Sequence, residues 1–169
     1  MKPILVLCLG NEVLTDDAFG FRVGEALSHC CVSDYTDVRT EAIAGFALLD
    51  ALNGHWAALI IDTVVTGSCA PGTLHFIPQG LSTPGRALVS SHQISLPTAL
   101  RLGELLGYTM PGTIDVLAVE AADVHTLSEE MTAPVAAAVP EATAIVEEWV
   151  RQKVDEVMHG DRDKKEAVA

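Results

Sequence analysis

Apolar runs of strand length alternate along this chain with segments whose apolar residues recur at helical spacing, and few folds accommodate that alternation. Ile4 to Leu9 is followed by Phe19, Val23, Ala26 and Leu27; Ala57 to Val65 is the most apolar run; Thr113 to Val119 precedes a helical pattern from Ala133 to about Val157. Runs without regular polar alternation suit strands buried on both faces, as in parallel sheets covered by helices. The pattern predicts an α/β fold: a three-layer α/β/α sandwich around a mainly parallel, twisted sheet of about five strands.

Between these anchors, Val38 to Ile43 predicts another strand, Ala44-Gly45 a turn, and Phe46 to Leu52 a short helix ending near Asn53-Gly54. Pro71-Gly72 punctuates the chain before a short strand at Thr73 to Ile77, and the Pro/Gly/Ser-rich stretch from Pro78 to Gly85 reads as a mobile, exposed loop. Ser90-Ser91-His92 then precedes apolar residues at Ile94, Leu96, Leu100, Leu102 and Leu105, with Gly107 as a stop, so His92 is expected at a helix N-terminus. Pro140 is expected to interrupt or restart the last helix. Residues 1–158 are expected to form a single domain and 159–169 a polar, frayed tail.

Charge narrows the partners. Residues 1–150 hold 18 acids against 5 Lys/Arg, and residues 151–169 hold 5 of each, so the formal charge of −13 lies in the fold itself. That balance opposes binding to nucleic acid or an anionic membrane; it suits plain solubility and equally the attraction of a basic partner or a cation. Cys8, Cys30, Cys31 and Cys69 form no C-x-x-C pair and read as reduced thiols. With no signal-like opening and no apolar run near 18 residues, the expected compartment is the cytoplasm, without membrane insertion.

Ligands in open α/β sheets bind beyond the carboxyl ends of the strands, and four candidate side chains are expected at that end of the sheet. Asp16-Asp17 lies in the loop after the first strand, between Gly10-Asn11 and Gly20. Either aspartate suits the start of the following helix as a cap, and either suits a functional carboxylate; both readings stand. Asp62 follows Ala57 to Ile61 toward the carboxyl end of the most apolar strand, where an unpaired charge is costly and few cations are at hand, which favours a binding or catalytic group. A carboxylate of the Asp16-Asp17 pair, Asp62 and the His92 imidazole together make a donor set for a borderline divalent metal with open positions. His29, His55, His75, His125 and His159 lack comparable placement and read as structural or exposed.

Rival chemistries find less support. A dinucleotide fingerprint in register with Gly10 needs glycines where Cys8 and Val13 stand, and no G-x-x-x-x-G-K-[ST] phosphate loop occurs. G-x-S-x-G is absent, Cys8 falls inside a buried strand where thiols are inert, and no nucleophilic triad assembles.

The ordered set Gly10-Asn11, Leu14-x-Asp16-Asp17-x-x-Gly20, Ala44-Gly45, Ile60-Ile61-Asp62, Pro71-Gly72-Thr73 and Ser90-x-His92-x-x-x-Leu96 resembles the NiFe-hydrogenase maturation endopeptidases over about residues 1–150. The resemblance implies an aspartyl-type endopeptidase that removes a C-terminal extension from the hydrogenase large-subunit precursor after nickel insertion. It matches the family's metal-contacting and catalytic set to Asp17, Asp62 and His92, with Asp16 in a supporting role. It further implies that nickel is carried by the precursor rather than held permanently by the protease. The rival from another class is a non-catalytic metal- or precursor-binding chaperone on the same fold; a third is an α/β hydrolase of small molecules. Two departures from the family pattern stand out: Cys8 and Ala18 occupy positions where Gly is common, and Cys8 is expected to add volume near the site.

Overall fold

The computed structural model describes residues 2–29, 34–43, 45–78 and 96–166. Five strands form one sheet: β1 (Ile4–Leu9), β2 (Thr36–Glu41), β3 (Ala57–Val64), β4 (Leu74–Ile77) and β5 (Thr113–Glu120), in the order β2-β1-β3-β5-β4. The β1–β2, β1–β3 and β3–β5 pairs are parallel, and β4 runs antiparallel to β5 at the edge. Among the described residues four α-helices accompany the sheet: α1 (Phe19–Ser28), α2 (Ala47–Leu52), α3 (Leu96–Leu105) and α4 (Ala133–Glu166). The expected α/β sandwich with a mainly parallel five-stranded sheet is the observed fold.

Two apolar cores form because side chains alternate across each buried strand. On one face Ile4, Val6, Cys8, Leu59, Ile61, Leu117 and Val119 meet Phe19, Val23 and Leu27 of α1 and Val135, Val146 and Trp149 of α4. On the other, Leu5, Leu7, Ala58, Ile60, Val64 and Val116 meet Leu48 and Leu52 of α2 and Leu100 of α3. β1 and β3 are buried along their whole length, which is why their sequences are apolar runs.

Differences from expectation have local causes. β2 spans Thr36–Glu41 rather than Val38 to Ile43, because this edge strand carries Asp37, Arg39 and Glu41 and is only half buried, leaving a weak apolar signal. α4 continues through Pro140 and on to Glu166. Proline removes one backbone donor, but the turns on either side stay anchored by buried Val135, Ala138, Ala142 and Val146. Beyond Val157 the strong helix formers Arg162, Lys164, Lys165 and Glu166 suit continuation of the helix, so a polar sequence is not an unstructured one. α3 ends as expected, with Gly107 at φ +83°. Among the described residues no helix is long and apolar enough to cross a membrane. Most of the Pro78 to Gly85 stretch, Cys30, Cys31 and His92 lie outside the described residues.

The strand order places the site. From β1 the chain moves to β2 on one side, then returns to β3 on the other, so the loops after β1 and β3 diverge at a topological switch point. Crevices of this kind receive ligands in open α/β sheets. The loop after β1 contains Asp17, and the end of β3 contains Asp62.

Candidate active site

The loop after β1 is folded back tightly on the strand it leaves. Gly10 has φ +148°, and a Cβ there would run into the Asp17 carbonyl oxygen; one on Gly20 would run into that of Leu9. Both glycines are needed for the close approach of backbone to backbone. The chain then forms a 3₁₀ turn over Thr15–Ala18, with Thr15 in the left-handed region at φ +26°. Thr15 is held there by its N–H donating to the Ser128 carbonyl at 3.1 Å and its hydroxyl to the Thr126 carbonyl at 2.6 Å. A strained residue fixed by its surroundings next to two buried carboxylates marks a shaped loop.

The two aspartates have different environments. Asp16 is 0 % exposed and is the hub of the loop following β5. Its Oδ2 accepts from the N–H groups of Ala122 at 2.8 Å and Asp123 at 3.0 Å, while Oδ1 accepts from the N–H of Thr132 at 2.7 Å and its hydroxyl at 2.8 Å. Neither oxygen caps α1, whose N-cap has no side-chain hydrogen bond. Asp16 instead ties the first loop to the chain entering α4.

Asp17 is placed by its backbone: its N–H donates to Leu14 at 2.8 Å, and its carbonyl accepts from Asn11 at 3.0 Å. Its Oδ1 accepts from the Thr63 hydroxyl at 3.0 Å. Among the described residues no donor reaches its Oδ2. Asp62, in β3, accepts the Thr63 N–H through Oδ1 at 2.8 Å. Asp17 and Asp62 are 5 % and 7 % exposed, so each is desolvated yet retains an edge toward solvent. The structure thus gathers Asp16, Asp17 and Asp62 at the switch point, and Thr63 touches two of them.

A further strand-end carboxylate was hidden in the sequence. Glu120 looks like a loop residue after Val119, but it is the last residue of β5, pairs with Val64 and is 1 % exposed. Its oxygens accept from the N–H groups of Thr66 and Gly67, each at 2.7 Å, and from the Thr66 hydroxyl at 2.7 Å; His75 Nε2 lies 3.6 Å away. Burial alone would raise this carboxyl, but the Thr66 and Gly67 bonds and the neighbouring His75 hold it below the usual range. Glu120 therefore fastens the turn after β3, as Asp16 fastens the loop after β5. Asp123 braces that second loop from within, its carboxyl held down to about 2 by the Thr126 hydroxyl and the N–H groups of His125 and Thr126.

Cys8 packs against Gly24 of α1. It lies in the core shared by α1 and α4, with Sγ 3.4 Å from where a Cβ on Gly24 would stand, so a glycine in α1 accommodates the thiol. Burial pushes this thiol up to about 12, which makes it inert. Ala18 is likewise fully buried, in the 3₁₀ turn. Among the described residues no group of three or more His, Cys, Asp or Glu side chains is arranged to hold a metal ion. The described part of the site thus offers two carboxylates, and a metal contact needs further donors.

A family model described as hydrogenase maturation protease matches residues 42–149, more than half of the chain. The chain belongs to the hydrogenase maturation protease family. The matched span includes Asp62 and His92 and begins after the Asp17 loop. Over 99 residues the chain is 33% identical to the hydrogenase 2 maturation protease of Escherichia coli (strain K12), covering 57% of this chain and 60% of that protein, so the aligned part is less than two thirds of this relative's length. It is 27% identical over 143 residues to the hydrogenase expression/formation protein HupD of Rhizobium leguminosarum bv. viciae, covering 82% of this chain and 69% of HupD. Among solved structures, the hydrogenase maturating endopeptidase HybD from E. coli superposes with a TM-score of 0.76 at 27% identity, covering 90% of this chain and 94% of that one.

Proposed function

We propose that this protein is an endopeptidase that removes the C-terminal extension of a NiFe-hydrogenase large-subunit precursor once nickel has been inserted. Family membership supports the reaction class. The observation that carries the site is the convergence of Asp17 and Asp62 on Thr63 at the sheet's switch point, with Asp17 Oδ2 left for a ligand. Carboxylates with an imidazole suit a borderline metal such as nickel, and His92 completes that set. In this proposal nickel arrives on the substrate with precursor ligands of its own, and the protease side chains supply the remaining contacts.

In this reading Asp17, Asp62 and His92 contact the nickel of the precursor and so place the scissile peptide beside the carboxylates. One carboxylate takes a proton from the attacking water as general base, and no covalent intermediate is needed. Cleavage then depends on prior nickel insertion. The loops at this end of the sheet also expose Val13, Phe46, Val65 and Leu127, apolar side chains suited to contact with a protein substrate. The test is intact-mass spectrometry of nickel-loaded and nickel-free precursor incubated with the protease. Loss of one C-terminal peptide from the loaded form alone is expected; unchanged mass in both would favour a binding chaperone, and equal cleavage of both would remove the nickel checkpoint.

A further inference from the structure

Thr63 is the one described residue with hydrogen bonds to both Asp17 and Asp62. Its N–H donates to Asp62 Oδ1 at 2.8 Å, and its hydroxyl donates to Asp17 Oδ1 at 3.0 Å. Strand alternation explains how one residue reaches both. Thr63 is in register with Val119 on the face packed by α1 and α4, where the Asp17 loop lies, whereas Asp62 alternates to the face of α2 and α3. The Thr63 side chain therefore points toward the first loop while its main chain follows directly from Asp62.

The link acts on the side chain of Asp17. The Asp17 backbone is fixed through Leu14 and Asn11, but its carboxylate is oriented by the Thr63 hydroxyl. Hydrogen bonds to ionised carboxylates are among the stronger ones, and Thr63 supplies one to each, the hydroxyl to Asp17 and the N–H to Asp62. A β-branched residue is stiff at χ1, so the hydroxyl is itself pre-set; Thr63 is also 4 % exposed, which excludes competing water. Each carboxylate is bonded to Thr63 through Oδ1, so the tie fixes their orientation without occupying Asp17 Oδ2.

We propose that Thr63 is the positioning residue of this site, coupling the Asp17 and Asp62 carboxylates into a single pre-formed unit for the metal-bearing substrate. The inference rests on the reading of Asp17 and Asp62 as the working carboxylates. Partners that orient reacting or metal-contacting groups typically matter by about 10- to 100-fold. Thr63→Val, close in shape but without the hydroxyl, is therefore expected to lower kcat for nickel-loaded precursor by about 10- to 100-fold with KM little changed. Thr63→Ala is expected to behave like Thr63→Val, and Thr63→Ser to restore most of the rate, all at a temperature where circular dichroism shows the variants folded. Crystal structures should show the Asp17 carboxylate in a different rotamer in the Val and Ala variants and in the wild-type rotamer in the Ser variant.

Wild-type rates in Thr63→Val, or a Ser variant as impaired as Ala and Val, would overturn the role of the hydroxyl. An unmoved Asp17 carboxylate in the Val and Ala structures would overturn it independently. The underlying site reading is tested separately by Asp17→Asn and Asp62→Asn. If these cleave normally, the site is wrong; if they are inactive while Val and Ala match wild type, only the positioning role falls.

Discussion

Adjacent aspartates in one turn are expected to respond in opposite ways to the same substitution. In Asp16→Asn the amide supplies one oxygen where the carboxylate had two. With that oxygen toward Thr132, the amide NH₂ confronts the N–H groups of Ala122 and Asp123; with it toward those, the NH₂ confronts the Thr132 N–H. Either orientation orphans at least one part-buried backbone donor, at about 1–3 kcal/mol, and weakens the remaining bonds by removing the charge, at roughly 1 kcal/mol each. The expected loss is about 3 kcal/mol, or a fall in Tm of about 6–12 °C for a chain of this size. Asp17→Asn still presents an oxygen to the Thr63 hydroxyl, so its cost should be about 1 kcal/mol or less, yet cleavage of nickel-loaded precursor should be lost. Urea denaturation with an unchanged m-value measures both losses. An Asp16→Asn protein within about 0.5 kcal/mol of wild type, or equal destabilisation by the two variants, would refute the division into a structural and a functional aspartate.

His92→Ala is expected to keep the wild-type unfolding transition and lower precursor cleavage by at least about 100-fold, read as the rate of mass loss. Asp123 and Glu120 are held below their ordinary values of 3.8 and 4.5, so the stability they contribute is complete above those values and is lost as pH falls, for Asp123 through about 2. Urea midpoints should therefore drop between pH 5 and pH 2, and Glu120→Gln should flatten that dependence. Gly20→Ala places a methyl against the Leu9 carbonyl and should destabilise by about 1–3 kcal/mol or more, measured by urea titration. Iodoacetamide followed by peptide mapping should label exposed Cys69 in the native protein, and Cys8 only after denaturation.

What could be read in the sequence divides along physical lines. β1 and β3 were legible because both their faces are covered, which demands unbroken apolar residues. β2 blurred because a half-buried edge strand tolerates Asp37 and Arg39. Asp62 stood out because a charge ending an apolar run needs a reason, whereas Glu120, at the equivalent end of β5, merged with the polar loop that follows it. The spacing of Asp16 and Asp17 left capping and function undivided, since what separates them is contact with Ala122, Asp123 and Thr132, more than a hundred residues away. No local pattern encodes such partners. Thr63 was invisible for a similar reason: threonine is an ordinary strand residue until its hydroxyl is seen to meet Asp17. The Cys8 side chain stands against Gly24, because its position in β1 points it toward α1.

The central claim is that the Asp17–Asp62 pair cleaves a nickel-loaded precursor, and parallel intact-mass time courses with wild-type and Asp62→Asn protein test it most directly. The wild type should release a single C-terminal peptide, while the variant, with an unaltered thermal transition, should leave the precursor mass unchanged. Cleavage by Asp62→Asn at the wild-type rate would contradict the account.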